Sequence, residues 1–284
     1  MIGLKKMFDI RYLLLLVFLM PAACDKVDPP YMTGQEPGGD NGEQNRKVLL
    51  EVFTGHTCPN CPPGSRQAAE LKEHYGDRLI VLSIHAGWFA GTIDDVFSYD
   101  FRTDAGEALY DHFGVTNNPV GMVSRRPFEG STLLSLAAWA PAISQLVDQQ
   151  PGFLIDINTG FEPGQEALDV EVSVEAAQSL EEQYHLSVFL KENEIIKPQR
   201  TNDPDYPSGI IHDYSHQYVL RKSLNGTWGD AVNQQPMDSG DRYSNSYSVN
   251  LEDNWDPENM AVVAFVYETG SMEVLQAERM DLMP

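Results

Sequence analysis

The sequence predicts two folded units in series: an α/β unit over residues 47–150 with a sheet covered on both faces, then an all-β antiparallel sandwich over residues 151–284. Three observations carry this reading. Up to about residue 150, continuous, predominantly apolar runs alternate with segments of helical period. Beyond Pro151-Gly152 the runs alternate apolar with polar and are separated by Gly, Pro, Asn and Asp. The chain of 284 residues is 42% hydrophobic and 10% aromatic, enough to build a core in each of two units.

Residues 1–23 read as a secretory signal: basic Lys5, Lys6 and Arg11, a short apolar run at 12–20, then Pro21-Ala-Ala before Cys24. The run is too short to span a bilayer, which takes about 20 residues. Cys24 after Ala-Ala resembles a bacterial lipobox, whose cysteine is lipidated and becomes the mature N-terminus. An ordinary cleaved signal with a stray cysteine and an uncleaved anchor are the other readings. Residues 24–46 are rich in Gly, Pro and acidic groups with almost nothing to bury, so a lipidated, disordered stalk is expected. Loss of residues 1–23 removes Lys5, Lys6, Arg11 and Asp9. The 19 Lys+Arg and 42 Asp+Glu become 16 and 41, and the net charge moves from −23 to −25. That charge repels phosphates and excludes nucleic acid as a partner. The membrane is touched through the lipid anchor only.

Within the α/β unit the order is strand 48–53, Cys58-Pro-Asn-Cys61, and a helix over 63–75 with Ala68, Ala69, Leu71, His74 and Tyr75 near a 3.6 period. A second apolar strand, 78–85, follows, then a helix over 104–113 stopped by Gly114. Asn118-Pro119 precedes a short strand at 120–123, and a helix over 133–147 closes the unit. The predominantly apolar strands suggest a largely parallel sheet. In the second unit the strands are 153–157, 168–174, 185–190, 214–220, 243–251, 261–267 and 274–282. Their number suggests an immunoglobulin-like sandwich.

Chemistry concentrates at Cys58 and Cys61. A C-x-x-C between a strand and a helix sets the first sulfur at a helix N-terminus, where unsatisfied N–H groups favour a thiolate. Cys58 would then attack a disulfide and Cys61, one turn further in and less exposed, would resolve the intermediate. Such a site needs no cofactor beyond the redox-active Cys58–Cys61 disulfide, and its partners are exported proteins carrying thiols or disulfides. A purely structural disulfide is the competing reading, although so small a loop removes little unfolded-state entropy. Zinc normally needs four ligands, and only His56 is near.

Other candidates are weaker. His56 as an imidazolium would stabilise the Cys58 thiolate, or it is a loop residue beside the site. His85 ends a strand and reads as a structural histidine. His212 and His216 form a metal pair only if they share a face. Tyr214, Tyr218, Trp228 and Tyr243 make either a binding surface or sandwich packing. Phosphate-loop, Gly-x-Ser-x-Gly and His-Glu-x-x-His patterns are absent from the sequence.

The strand at 48–53, Cys58-Pro-Asn-Cys61 and Pro119 together resemble the thioredoxin fold. The resemblance implies that Pro119 is the cis-proline facing the disulfide. The chain departs from that pattern in having Thr57 before the first cysteine, and Val52 where the family's buried acid lies, with Glu51 one place off. Pro59 instead resembles oxidase- or glutaredoxin-like C-P-x-C sites. Nearly the whole mature chain is similar to the 28 kDa outer-membrane-protein family of Bacteroidetes lipoproteins. The matching residues are Glu51-Val-Phe-Thr-Gly55 with the cysteines and Pro62, Ile84-His-Ala-Gly87, Phe113-Gly-Val115, Pro119, Arg125, His212-Asp-Tyr-Ser-His216, Val219-Leu-Arg221 and Trp228-Gly229. That resemblance implies an outer-membrane lipoprotein, periplasmic or surface-facing, with a thioredoxin-like domain before a sandwich. Two functions are in play: a lipid-anchored thiol–disulfide oxidoreductase, and a binding or assembly lipoprotein whose thioredoxin-like domain is an inactive scaffold.

Overall fold

The computed structural model describes residues 45–161, 167–232 and 236–283. The expected signal peptide, Cys24 and all of the stalk before residue 45 lie outside the described residues. Arg46, assigned from sequence to the stalk, is buried: it donates to the Val274 carbonyl at 2.9 Å and to Gln149 at 2.7 Å.

Strand β1 (Val48–Thr54) is buried at all seven positions, as is β2 (Leu79–His85), which explains their largely apolar character. Helix α1 (Cys61–Tyr75) links them and opens on Pro62 and Pro63, where a missing N–H costs nothing. Helix α2 (Asp104–His112) is capped by Thr103, whose hydroxyl accepts from Gly106 N at 3.0 Å. After β3 (Val120–Val123), helix α3 (Leu136–Leu146) returns across the sheet and buries Trp139.

β1 and β2 run parallel, but β3 is antiparallel to β1, with Phe53 opposite Val120. The expectation of a largely parallel sheet is thus corrected at β3. A predominantly apolar run reports burial on both faces and carries no information about direction. The reversal has a functional consequence: β3 begins at the edge where β1 ends, which brings Pro119 to the cysteine loop.

The second half contributes β4 (Phe153–Gly160), β5 (Ala167–Ala176) and β6 (Tyr184–Glu192). Four two-residue strands follow: β7 (Ile195–Ile196), β8 (Gln199–Arg200), β9 (Ile210–Ile211) and β10 (Ser215–His216). The chain ends with β11 (Val219–Ser223), β12 (Asp230–Ala231), β13 (Arg242–Asn250), β14 (Met260–Glu268) and β15 (Val274–Asp281). The expected strand at 214–220 is divided because Tyr218 takes a left-handed φ of 59°, separating β10 from β11.

The protein is mixed α/β with one large sheet and few helices. The large sheet has the order β15-β14-β6-β11-β2-β1-β3, with β12 also on β6, and a second sheet has the order β13-β5-β4. Strands from both sides of residue 150 therefore share one sheet. β11 lies parallel to β2 at Val219 and Ser83, and Ser83 N donates to the Tyr218 carbonyl at 2.7 Å. A fully buried strand needs hydrogen-bond partners on both edges, and β11 satisfies the edge of β2 that β1 leaves open. The ends of the sheet meet as well: Val274 N donates to the Ser124 carbonyl at 2.8 Å.

Three apolar clusters follow from strand alternation. Ile155, Val170, Val172 and Val174 pack on Leu186, Val188, Val262 and Ala264 between the two sheets. The other face of β6 and β14, with Phe189 and Phe265, meets Phe53, Ile80, Leu82 and Leu109 of α2. Val48, Leu50 and Val52 face Leu71 of α1 and Trp139 of α3.

Candidate functional site

β1 delivers the chain into a tight loop, Gly55 to Asn60, before α1. Cys58 N donates to the Gly55 carbonyl at 3.1 Å and Cys61 N to the Cys58 carbonyl at 3.2 Å. Gly55 has to be glycine, because any side chain there would run into the Phe89 carbonyl. Cys58 and Cys61 are joined as a disulfide with Cα atoms 5.4 Å apart. Cys61 is the first residue of α1 and Cys58 precedes it, so Cys58 sits in the turn and not in the first helical turn as expected. The expected difference in exposure is absent: both are 1% exposed.

The Asn118–Pro119 bond is cis. Pro119 packs against the first turn of α1, where a Cβ added to Gly64 would lie 3.0 Å from it. The Asn118 carbonyl lies 3.7 Å from Cys58 Sγ, and both polar atoms of the Asn118 side chain are buried without a hydrogen-bond partner. Val52 faces the α1 side of the sheet. Glu51 faces the opposite side, fully buried and held bidentate by Arg125 at 2.7 and 2.8 Å. No carboxylate therefore reaches the cysteines from β1.

A strap formed by residues 195–216 covers the loop. Its two short ladders are β7 with β10 and β8 with β9. Arg200 N donates to the His56 carbonyl at 2.8 Å and Asn202 N to the Pro59 carbonyl at 3.2 Å. Gln199 Nε2 reaches the Cys58 carbonyl at 3.0 Å, and Asn202 Nδ2 reaches Asn60 Oδ1 at 2.6 Å. Beside the strap an open groove of ≈830 Å³ is lined by Pro59, Pro62, Arg66, Asn202, Tyr206 and Tyr214. Sequence reasoning passed over Gln199, Arg200 and Asn202, which belong to no motif. The local signal was the density of turn-formers, Pro198, Pro204, Pro207 and Gly209.

Of the histidines, His56 is the one placed differently from expectation. His56 is fully buried, shares a contact of 2.9 Å with the Gly91 carbonyl, and stands edge-on to Phe97 and Phe101. Burial lowers its pKa, so it is neutral and is not an imidazolium beside Cys58. His85 stacks on Phe101 at 4.6 Å, and burial, then His216 and His56, hold its pKa well below the ordinary value. His216 is buried and pushed down to about 3, chiefly by desolvation, whereas His212 is exposed. The two do not form a pair, and among the described residues no group of three or more His, Cys, Asp or Glu is placed to hold a metal ion. The four aromatics make no common surface. Tyr218 packs with the α1–α3 cluster, Tyr243 with the inter-sheet cluster, Trp228 on His112 and Tyr214 on His216.

The family profile of outer membrane protein Omp28 matches residues 106–283, a span that begins after the cysteine pair. Among solved structures, HBP35 of Porphyromonas gingivalis is similar at 18% identity with a TM-score of 0.62, covering 84% of this chain and 76% of that one. A protein of Agrobacterium tumefaciens is similar at 11% identity with a TM-score of 0.50, over 84% and 95%. At such identities the likeness bears on fold alone. A domain of the outer membrane lipoprotein Omp28 from Porphyromonas gingivalis overlaps 47% of this chain and 90% of that one at 18% identity. Its TM-score of 0.32 is too loose to argue from. No curated protein sequence matches the chain.

Proposed function

Because the chain belongs to the outer membrane protein Omp28 family, we propose that it works there as a binding or assembly module on a scaffold whose cysteine pair is structural. It is an outer-membrane, lipid-anchored protein, and among its described residues no helix is long and apolar enough to cross a membrane. The same reading takes Cys24 as the lipidated residue, residues 47–150 as thioredoxin-like and residues 151–284 as an immunoglobulin-like sandwich, with no nucleic-acid partner.

The observation that carries the proposal is the burial of the disulfide. Exchange requires a thiolate to approach a sulfur directly, and both sulfurs lie under a strap hydrogen-bonded to their own loop. The groups that would assist the chemistry are otherwise engaged: Glu51 is tied to Arg125 and His56 is neutral. The native full chain should therefore resist mild dithiol and show no insulin-reducing turnover, and Cys58→Ser should leave partner binding intact. Turnover abolished by Cys58→Ser would overturn this.

A second reading, thiol–disulfide exchange with exported client proteins, is favoured by one observation. Opposite the disulfide stand cis-Pro119 and Asn118, whose unpartnered amide offers a donor and an acceptor to an extended client backbone. In that chemistry an exported dithiol first reduces the Cys58–Cys61 disulfide, and the Cys58 thiolate then attacks a client disulfide and one client thiolate leaves. Cys61 then attacks Cys58, re-forming the Cys58–Cys61 disulfide as two electrons pass to the client. Cys61→Ser would trap the mixed disulfide, provided the strap moves aside.

A further inference from the structure

The strap over residues 195–216 is fastened mainly by polar contacts. Only Ile195, Gln199, Thr201 and His216 of it are buried. Its grip on the cysteine loop consists of the hydrogen bonds from Gln199, Arg200 and Asn202. Segments with so few buried apolar contacts open at the low end of a fold's stability range. The strap is also bounded by Glu194 and Tyr218, two non-glycine residues with left-handed φ of 61° and 59°.

One end of the strap rests on a cluster of buried histidines. His216 of the strap, His85 at the end of β2 and His56 of the cysteine loop surround the ring of Phe101. Their centroids lie 4.6, 4.6 and 5.0 Å from it, and His85 and His216 are 5.4 Å apart. Each imidazole engages the backbone once: His56 at Gly91, His85 at Ser83, and His216 at Lys197 and Pro198. Among the described residues, the remaining nitrogens, His56 Nδ1, His85 Nδ1 and His216 Nε2, are buried without a partner. A second proton on any of these rings would therefore be a buried N–H with no acceptor. The neighbouring charges do not offset that cost. Asp94 and Asp100 favour a charge on His56, but Asp100 is already paired with Arg102 at 2.6 Å and Arg200 opposes it. Arg221, itself beside Glu192 at 3.1 Å, opposes a charge on His85, and His56 opposes one on both other rings. Lys197 of the strap adds a further cation, 4.9 Å from the Tyr99 ring.

We propose that these three histidines form an acid latch: protonation of His56, His85 and His216 releases the strap and uncovers the Cys58–Cys61 disulfide. The covered state keeps the rings neutral, whereas the released state restores them to the ordinary value of 6.5, so release takes up protons. Closure is consequently full above that value and is lost progressively as pH falls below it. His216, held at about 3 under the strap, alone makes opening roughly 30-fold more favourable at pH 5 than at pH 7.5. His85 and His56 shift in the same direction and add to it. The latch presupposes the cover described above but not whether the disulfide exchanges with clients. Insulin-reducing turnover would overturn the structural reading of the cysteine pair and leave the latch standing.

The test uses the full chain and a water-soluble phosphine, which reduces disulfides without needing a thiolate and so works in acid. The rate at Cys58–Cys61 is divided by that of an open peptide carrying the same Cys-Pro-Asn-Cys sequence. This ratio is expected to rise by at least about tenfold from pH 7.5 to pH 5. Amide exchange, corrected for intrinsic rates, should show Arg200 and Asn202 losing protection at pH 5 while β1 and β2 keep theirs. His216→Gln, which gains no proton, should weaken the rise, and His212→Gln, exposed on the strap, should leave it unchanged. If His216→Gln frees the strap at both pH values, the wild-type exchange at Arg200 and Asn202 decides. An unchanged ratio, protection lost throughout β1 and β2 as well, or an undiminished rise in His216→Gln would each overturn the proposal.

Discussion

Arg125 and Lys191 are both fully buried cations, one just past β3 and the other on β6 beside β11, and their surroundings are opposite. Arg125 is gripped by both oxygens of Glu51, and its guanidinium lies 4.9–5.5 Å from the rings of Phe265, Tyr267 and Phe113. Among the described residues Lys191 has no carboxylate in ion-pair contact. Its ammonium donates to the Val81 carbonyl at 3.3 Å and lies 5.0 Å from the Tyr218 ring. Desolvation, followed by like-charged Arg279 and Lys72, brings its pKa down to about 7. Equal burial thus leaves Arg125 a paired ion and Lys191 a base poised between charged and neutral. The Glu51–Arg125 pair also explains the quiet chemistry at the disulfide, because the one acid on β1 is committed to the guanidinium just past β3.

The largest effect should come from breaking the pair. Arg125→Met leaves Glu51 buried without a counter-charge and should cost about 3–5 kcal/mol in urea unfolding. The double variant Glu51→Leu with Arg125→Met removes both charges and should regain most of that loss. A double variant as unstable as the single would mean that the guanidinium acts through ring packing instead of pairing.

For Lys191 the sign is the reverse of a stabilising ion pair. The folded state releases the proton near pH 7 and the unfolded state near 10.5, so between them the unfolded state binds more protons. Stability should therefore rise with pH across that window and lie flat below it as far as this group is concerned. Lys191→Met should stabilise the protein by a few kcal/mol at pH 6, by the linkage of about 1.4 kcal/mol per pKa unit, and by much less near pH 10. A pH-independent difference between the two proteins would refute the assignment.

Much of this was legible in the sequence, and what was not shares a cause. β1 and β2 were visible as largely apolar runs and α2 by the stop at Gly114, and the longer strands of the second half fell close to their observed limits, whereas 214–220 was divided and the two-residue strands β7, β8, β9 and β12 were not expected. Each of these follows from local pattern. The direction of β3, the insertion of β11 beside β2, and the pairing of Glu51 with a residue 74 positions away depend on which distant segments pack together. Periodicity does not encode that choice. The cysteines were found from spacing and Pro119 from its resemblance, but their burial was not foreseen. The strap over them, residues 195–216, is fastened by Gln199, Arg200 and Asn202 through backbone groups and the amides of Gln199 and Asn202, which have no sequence signature.

The smallest predicted effect tests why Lys191 retains any charge at all. If the Tyr218 ring stabilises the ammonium, Tyr218→Leu should cost about 1–2 kcal/mol at pH 6, the size of a desolvated cation–π contact. Part of any loss will be packing against the α1–α3 cluster, and packing does not depend on pH. The electrostatic part does: removing the ring lowers the pKa of Lys191 further, so the rise of stability with pH begins lower in the variant. At pH 9 the folded wild type already holds a neutral amine, and the cost of Tyr218→Leu should shrink to its packing component. Tyr218→Phe keeps the ring face and should track the wild-type profile. Equal cost for Tyr218→Leu at pH 6 and pH 9 would show that the ring fills space beneath Lys191 and leaves its charge untouched.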